Sequence, residues 1–162
     1  MTRYITLLLA LAAACVLATP AALAFERIKD GDTTVIKEGT VRLAAIDAFE
    51  TDQTCRYEGA RYPCGEMATR MLRRLAQGAE ITCDAPDGGD WEKGSYGRWI
   101  LVCHAGDIDL NASMVASGWA LVNPRYDTRY LPLQKRARRE NRGAWQGRFV
   151  EPWKWRDGER LE

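Results

Sequence analysis

Three short segments of the chain combine charged side chains with tight turns, and their residue types and spacing could support chemistry. Asp30-Gly31-Asp32-Thr33 places two carboxylates around a glycine. A second segment begins at Arg42, ends an apolar run in Asp47 and adds Glu50 three residues later. Tyr96-Gly97-Arg98 opens another apolar run with an arginine. Each segment alone is typical of a surface turn or a strand end, so only their combination suggests a site.

The residue types restrict the reactions that such a site could perform. His104 is the single histidine of the chain. It excludes zinc motifs built on two histidines, and a histidine-dependent hydrolase would have to rest on this one side chain. Hydrolytic chemistry would therefore use carboxylates, arginines and a metal ion held by oxygen ligands. At the end of a predicted strand, His104 itself is expected to be a surface or hairpin residue.

The chain that must position these residues has the composition of one ordinary globular domain. It contains 162 residues, of which 46% are apolar and 28% charged. The first 24 residues combine the basic Arg3, an apolar run from Ile5 to Leu17 and the small-residue pattern Ala22-Leu23-Ala24. This pattern predicts a cleaved signal peptide and an exported domain of residues 25–162, periplasmic or extracellular. A weaker alternative is a lipoprotein signal at Cys15.

No later segment approaches the roughly 18 unbroken apolar residues of a membrane-spanning helix, so we expect no span in the mature chain. Four cysteines remain there, and an even number in an exported domain favours two disulfides. Cys83 and Cys103 end two runs that resemble the strands of one hairpin, which predicts that they pair. Cys55 and Cys64 then bracket one short loop. A zinc site built from all four cysteines is the alternative, and the lack of C-x-x-C spacing disfavours it.

The apolar patterns predict an α+β fold: a closed five-stranded OB-fold barrel with three helices packed outside it. The predicted strands are residues 33–36, 40–46, 80–83, 98–104 and 119–123, and the predicted helices are residues 66–77, 109–117 and 127–141. Strict alternation along the second strand would place Arg42 and Asp47 on opposite faces. A shared site therefore requires a bulge or sharp bend, which Ala44-Ala45 is small enough to allow.

Charge is balanced overall but not along the chain. Residues 125–156 contain ten basic and three acidic residues. A basic segment of this kind permits a polyanionic partner, although a solvated helix face is the favoured explanation of the segment taken alone.

Taken together and in this order, the segments resemble the staphylococcal nuclease family. The resemblance runs from Ile28 to about Arg156. It includes Asp109-Leu110-Asn111, Gly118-Trp119-Ala120, Arg142-Gly143-Ala144-Trp145 and Pro152-Trp153-Lys154-Trp155-Arg156. Its most specific part is the spacing of Arg42, Asp47 and Glu50, with Asp32 before them and Arg98 after them.

The resemblance implies a metal and a set of residue roles. Asp32, Asp47 and the backbone carbonyl of Ala48 would ligate Ca²⁺, which prefers hard oxygen donors. Glu50 would orient or deprotonate the attacking water. The remaining implied residues contact the substrate: Arg42 and Arg98 would clamp phosphate oxygens, Tyr96 would lie at the nucleotide pocket, and Tyr126 is a weaker candidate beside it.

The implied function is an exported, calcium-dependent nuclease that cleaves DNA and RNA to 3′-phosphorylated products, and we expect it to act as a monomer. Five residues depart from the family pattern: Phe49 stands in place of proline, Leu121 and Asn123 stand in place of pocket tyrosines, and Gly94 and Ser95 stand where an acidic and a basic residue are common. The main alternative is an inactive OB-fold module that binds nucleic acid or a protein partner. An oligosaccharide-binding OB module is a third possibility, but it leaves the paired acids and arginines without a task.

Overall fold

The structure is a computed structural model that describes residues 24–125 and 127–162. The predicted signal peptide, except for its last residue, and Tyr126 lie outside this part. Ten short strands are present: β1 Arg27–Ile28, β2 Thr33–Ile36, β3 Gly39–Leu43, β4 Ile46–Ala48, β5 Cys55–Tyr57, β6 Ala60–Tyr62, β7 Ile81–Asp84, β8 Trp99–Ala105, β9 Ile108–Asp109 and β10 Ala120–Val122. The α-helices are α1 Cys64–Ala76, α2 Leu110–Ala116, α3 Leu131–Arg139 and α4 Pro152–Arg156, with 3₁₀ turns at Ser95–Gly97 and Gly143–Gln146.

The largest sheet is mixed and has the strand order β1-β2-β3-β8-β7, with β9 paired to β8. Strands β3 and β8 run parallel, with Arg42 opposite Ile100, whereas the other neighbours are antiparallel. Strand β4 pairs with β10, and β5 pairs with β6, as two separate ribbons. The α+β class is therefore correct. The closed five-stranded barrel with three helices is not confirmed by the described residues.

The predicted strand 40–46 divides where the sequence required a bend. Strand β3 ends at Leu43, Ala45 adopts a left-handed φ of 65°, and β4 begins at Ile46. The small methyl side chain makes this conformation less costly at alanine than at a bulky residue. The third predicted helix was placed to begin at Asp127, but α3 begins only at Leu131. Pro132 accounts for this, because proline is tolerated only in the first turn of a helix.

The elements missed by the sequence patterns are too short to show a periodicity. Strands β1, β5, β6 and β9 have two or three residues each, and α4 has five. Helices α1 and α2 were predicted, and they cover the sheet with apolar side chains. Leu72 of α1 and Leu110 and Met114 of α2 are fully buried. Burying each such side chain contributes about 1.5–3 kcal/mol and fixes the helices against the strands.

Both predicted disulfides are present. Cys83 and Cys103 lie directly opposite each other on β7 and β8, and Cys55 at the start of β5 pairs with Cys64 at the start of α1. Asp109 caps α2 by accepting a hydrogen bond from the backbone N–H of Ala112 at 2.8 Å. Within the described residues, every helix is too short or too polar to cross a membrane.

Candidate active site

The turn between β3 and β4 places a basic and an acidic side chain on one side of the sheet. Buried Asn111 of α2 holds this turn in place. Its Nδ2 donates to the carbonyl oxygens of Ala44 at 2.9 Å and Leu101 at 3.2 Å, and its Oδ1 accepts from the N–H of Cys103 at 3.1 Å. A smaller side chain would remove the bonds to the Ala44 carbonyl and the Cys103 N–H, whereas the Leu101 carbonyl would keep its bond from the N–H of Ala44. Asn111 therefore fixes the bend on which the position of Asp47 depends.

Asp32 lies in the loop before β2 and is almost fully buried. Its Oδ1 accepts hydrogen bonds from Arg42 at 2.8 Å and from the hydroxyl of Thr33 at 2.9 Å. Its Oδ2 accepts from the backbone N–H of Ala48 at 2.7 Å. The carboxylate thus connects its own loop to both β3 and β4. Gly31 permits this close approach, because a Cβ there would come within 2.7 Å of the Ala48 methyl group.

Burial raises the pKa of the Asp32 carboxyl to about 7. The positive charge of Arg42 and the hydrogen bond from Ala48 oppose this increase, whereas the negative charges of Asp30 and Asp47 add to it. The direction follows from desolvation, since a buried carboxyl disfavours its charged form. Additional positive charge beside Asp32 would therefore favour the charged form of its carboxyl.

Asp47 of β4 is also buried, and two arginines contact it. Its Oδ1 accepts from Arg42 and from Arg156 of α4, at 2.8 and 2.9 Å, and its Oδ2 accepts from Arg156 at 2.7 Å. Arg42 therefore bridges Asp32 and Asp47 with its two terminal nitrogens. Hydrogen bonding to Asp47 raises the pKa of the Arg156 guanidinium above its ordinary value, although burial opposes this effect.

Glu50 lies at the edge of this cluster, where its side chain is 30% exposed and its Oε1 accepts from Arg156 at 2.6 Å. Fully buried Gln53 holds the loop that carries it. Its Oε1 accepts from the backbone N–H of Glu50 at 3.1 Å, and its Nε2 donates to the carbonyl of Val150 at 2.7 Å. One side chain therefore connects the Glu50 loop to the C-terminal segment that precedes α4.

Arg98 and Tyr96 are not in contact with the acidic cluster. Arg98 is extended and precedes β8, with its guanidinium carbon 5.5 Å from the Tyr96 ring centre. Within the described residues it forms no ion pair, and its Nε has no hydrogen-bond partner. Because Ile100 is opposite Arg42, Arg98 two residues earlier lies on the same sheet face. Tyr96 is 91% exposed.

The departures from the family pattern have structural explanations at two positions. Phe49 is buried and packs edge-on against Phe149, with ring centres 5.2 Å apart, so the core restrains the chain that proline was expected to restrain. Leu121 is buried opposite Asp47 in the β4–β10 ribbon and does not line an open surface. Asn123 accepts a hydrogen bond from the N–H of Arg125 and shapes the chain after β10.

The donor atoms of the cluster are carboxylate and backbone oxygens, which are the ligands of hard cations such as Ca²⁺ and not of soft metals. Asp32 and Asp47 could supply carboxylate oxygens, since both are bonded to the same Arg42 guanidinium. The peptide of Ala48 is bonded to Asp32. No group of three or more His, Cys, Asp or Glu side chains that could hold a metal ion occurs in the described part of the chain. The donor chemistry therefore fits calcium through two carboxylates and a backbone oxygen.

The assembled site is one in which arginines and acids converge at the end of a sheet, an arrangement suited to handling an anionic ester. A sequence model of the staphylococcal nuclease homologues matches residues 40–147, which is two thirds of the chain. The protein therefore belongs to the staphylococcal nuclease family, whose members are generally phosphodiester hydrolases and typically calcium-dependent. No match was found among curated proteins.

Sequence reasoning assigned no role to Arg156, Gln53 or Asn111. Arg156 and Asn111 lie in segments that carry the family resemblance, which marked them only as part of a pattern. Gln53 gave no signal, because a polar residue in a predicted loop resembles any surface residue. The family match ends at residue 147, so Arg156 lies beyond it.

Proposed function

We propose that the protein is an exported, calcium-dependent, sugar-nonspecific nuclease that hydrolyses DNA and RNA to 3′-phosphorylated products. The observation that supports it best is the cluster in which Arg42 bridges two buried aspartates beside Glu50, in a chain that belongs to a family of nucleases. Residues 1–24 would direct export and residues 25–162 would form the active monomer. The two disulfides support an oxidising compartment, either the periplasm or the exterior.

The metal ion would be held by Asp32, Asp47 and the carbonyl of Ala48. When bound, calcium would polarise the phosphate and offset its charge. The raised pKa of Asp32 supports this placement, because a cation beside the buried carboxyl would favour its charged form. Asp30 and Asp109 are left outside the metal site. Asp30 accepts a bond from the N–H of Asp32, and Asp109 caps α2.

The reacting water would be oriented by Glu50. Its carboxylate is partly exposed, and Gln53 fixes its backbone, so it can accept a proton while the water oxygen forms a bond to phosphorus. The bond from phosphorus to the 5′ oxygen breaks, that oxygen takes up a proton, and the phosphate stays on the 3′ side. Glu50 then releases the proton that it accepted to solvent.

The two arginines would bind the phosphate oxygens from one sheet face. Arg42 uses two of its five N–H groups on the aspartates, which leaves others for substrate. Arg98 has no carboxylate partner within the described residues, so its guanidinium is available to an incoming anion. The exposed Tyr96 ring beside it could stack on a base, and Tyr126 is proposed for the same pocket.

The decisive experiment is digestion of single-stranded DNA and of RNA by the purified mature chain, with calcium and with a chelator. We expect cleavage only with calcium, and end-group analysis should find 3′-phosphates. Glu50→Gln is the matched inactive variant, and Glu66→Gln on the exposed face of α1 is the control for the loss of one carboxylate. Cleavage that persists in chelator, or that Glu50→Gln does not slow, would reject the proposal.

An inactive nucleic-acid-binding module is the second candidate. The contacts of Arg156 favour it, because they occupy Asp47 and Glu50, two of the three acids that catalysis would need. Under that alternative the protein binds single-stranded DNA and leaves it intact at every calcium concentration.

A further inference from the structure

Arg156 accounts for most of the hydrogen bonding at Asp47. A carboxylate offers about four lone-pair sites, and Asp47 uses three of them. One bond comes from Arg42, and two come from Arg156 as a planar fork on both oxygens. Without Arg156, three sites on Asp47 would be open. A cation that ligates Asp47 well must therefore replace Arg156.

The C-terminal segment holds this guanidinium at the site. Trp155 and Pro152 of α4 are buried, and Gln53 bonds the Val150 carbonyl just before the helix. The Arg156 side chain is nevertheless 41% exposed, so it can turn into solvent while the helix stays packed. Its two arrangements, paired and released, differ by side-chain rotation only.

The charge of the cluster depends directly on this residue. Three carboxylates, those of Asp32, Asp47 and Glu50, face two guanidiniums, those of Arg42 and Arg156. With all three carboxylates ionised, the cluster carries a net charge of −1 with Arg156 and −2 without it. A divalent cation is attracted more strongly to the cluster without Arg156. The difference is large because two of the acids are buried.

We propose that Arg156 sets the affinity of this site for divalent cations, as a built-in counter-ion that the cation must displace from Asp47. The inference rests on the proposed function for the assignment of Asp32 and Asp47 as metal ligands. Displacement weakens cation binding and makes the site respond to calcium at the levels of an exterior compartment, where sites with dissociation constants of about 10⁻⁴–10⁻³ M are useful.

The first test compares calcium binding to the wild-type protein and to three folded variants by calorimetric titration. Arg156→Gln should bind calcium at least about fivefold more tightly than the wild-type protein, because a competing charge is gone. Arg156→Lys keeps the charge and should bind more weakly than Arg156→Gln. Lys154→Gln is the matched control: it removes one positive charge from the same helix, where Lys154 pairs only with Glu151, and should stay within about twofold of wild type.

An Arg156→Gln protein that is folded and binds calcium no more tightly than wild type would overturn the inference. The same conclusion follows if neither protein binds calcium, or if Lys154→Gln gains as much affinity as Arg156→Gln. In that last case the gain reflects net charge and not displacement. A purely structural role for Arg156 would lower the unfolding temperature without tightening binding.

A second measurement is made on the wild-type protein, and a folded variant is needed only to assign its resonances. The side-chain N–H resonances of ¹⁵N-labelled arginine report pairing, and comparison with Arg156→Lys identifies those of Arg156. Saturating calcium should shift them to the positions of exposed arginines. Resonances that stay unchanged at saturation would contradict displacement.

Failure of this inference can be distinguished from failure of the proposed function. If wild type cleaves DNA with calcium and Arg156→Gln binds no tighter, the nuclease stands and the counter-ion role falls. If Arg156→Gln binds calcium more tightly but neither protein cleaves, the counter-ion role stands and the nuclease falls.

Discussion

The two arginines assigned to one task, Arg42 and Arg98, lie in contrasting surroundings. Arg42 has a side chain that is 20% exposed and is paired with two buried aspartates. Arg98 lies on the same sheet face but has no acidic partner in the described part of the chain, and the Tyr96 ring beside it is almost fully exposed. The two arginine side chains therefore differ strongly in how many contacts hold them in place.

The contrast separates two ways of building a site. The cluster around Arg42 is fixed before any ligand arrives, because its acids and arginines are already paired with one another. In the described part of the chain the Arg98 guanidinium has no carboxylate partner, so we expect this region to be completed only by a ligand. Substitutions in the first region should change stability as well as chemistry, whereas those in the second should change chemistry alone.

The largest effect is expected from replacing Arg42. Arg42→Gln leaves two buried carboxylates with one fewer counter-charge, and breaking a buried pair in this way typically costs about 3–5 kcal/mol. Urea unfolding at neutral pH without calcium measures it. Arg98→Gln should change the free energy of unfolding by no more than about 0.5 kcal/mol. Equal losses in the two variants would contradict the distinction between the regions.

Glu50 lies at the edge of the Arg42 cluster and tests the chemistry. Glu50→Gln keeps the shape and the backbone bond to Gln53 but removes the charge that directs water. Loss of one such group typically costs about 3–4 kcal/mol of transition-state stabilisation, or two to three decades in rate. Single-turnover cleavage of single-stranded DNA measures it, with Glu66→Gln as the control. A rate within about threefold of wild type would remove Glu50 from the mechanism.

The sequence predicted the local features of the cluster around Arg42 and not its long-range contacts. Because alternation put Arg42 and Asp47 on opposite faces, a bend was required, and Ala45 provides it. The hairpin pattern likewise predicted the pairing of Cys83 with Cys103.

Arg156 contacts Asp47 across 109 positions of sequence, through a helix of five residues. Neither periodicity nor propensity carries information over that distance, so this contact could not be derived. The closed barrel was inferred from a count of strands, and a count does not specify which strands pair at the ends of a sheet.

Asp32 makes the unfolding free energy of the protein depend on pH. Its pKa of about 7 in the folded protein exceeds the ordinary value of 3.8, so the folded state binds more protons between these values. The unfolding free energy of the calcium-free protein therefore falls as the pH rises through this range, by about 1.4 kcal/mol per unit from this group.

Asp32→Asn removes that dependence. Relative to wild type, the variant should gain about 2 kcal/mol in unfolding free energy between pH 5 and pH 7, measured by urea unfolding in chelator. Asp52→Asn, on the exposed part of the neighbouring loop, is the control and should run parallel to wild type. A difference between Asp32→Asn and wild type that stays constant with pH would show that Asp32 is charged throughout.

The smallest effect, and the most specific, concerns Arg98→Lys. Lysine keeps the positive charge, so long-range attraction of the polyanion survives. It loses the planar fork that can engage two phosphate oxygens at once. If Arg98 acts on the transition state, kcat and kcat/KM fall together by about tenfold, which corresponds to about 1.4 kcal/mol. The unfolding free energy should stay within about 0.5 kcal/mol of wild type, because no ion pair is broken.

The matched control is Arg139→Lys on the exposed face of α3, which should leave both constants unchanged. An increase in KM with constant kcat would mean that Arg98 only binds the nucleic-acid substrate and adds nothing in the transition state. The region around Arg98 would then be a binding surface. Of the two arginines, only Arg42 would stabilise the charge of the transition state. Because Arg42 is already shared between two aspartates, that result would also require one of its ion pairs to loosen when substrate binds.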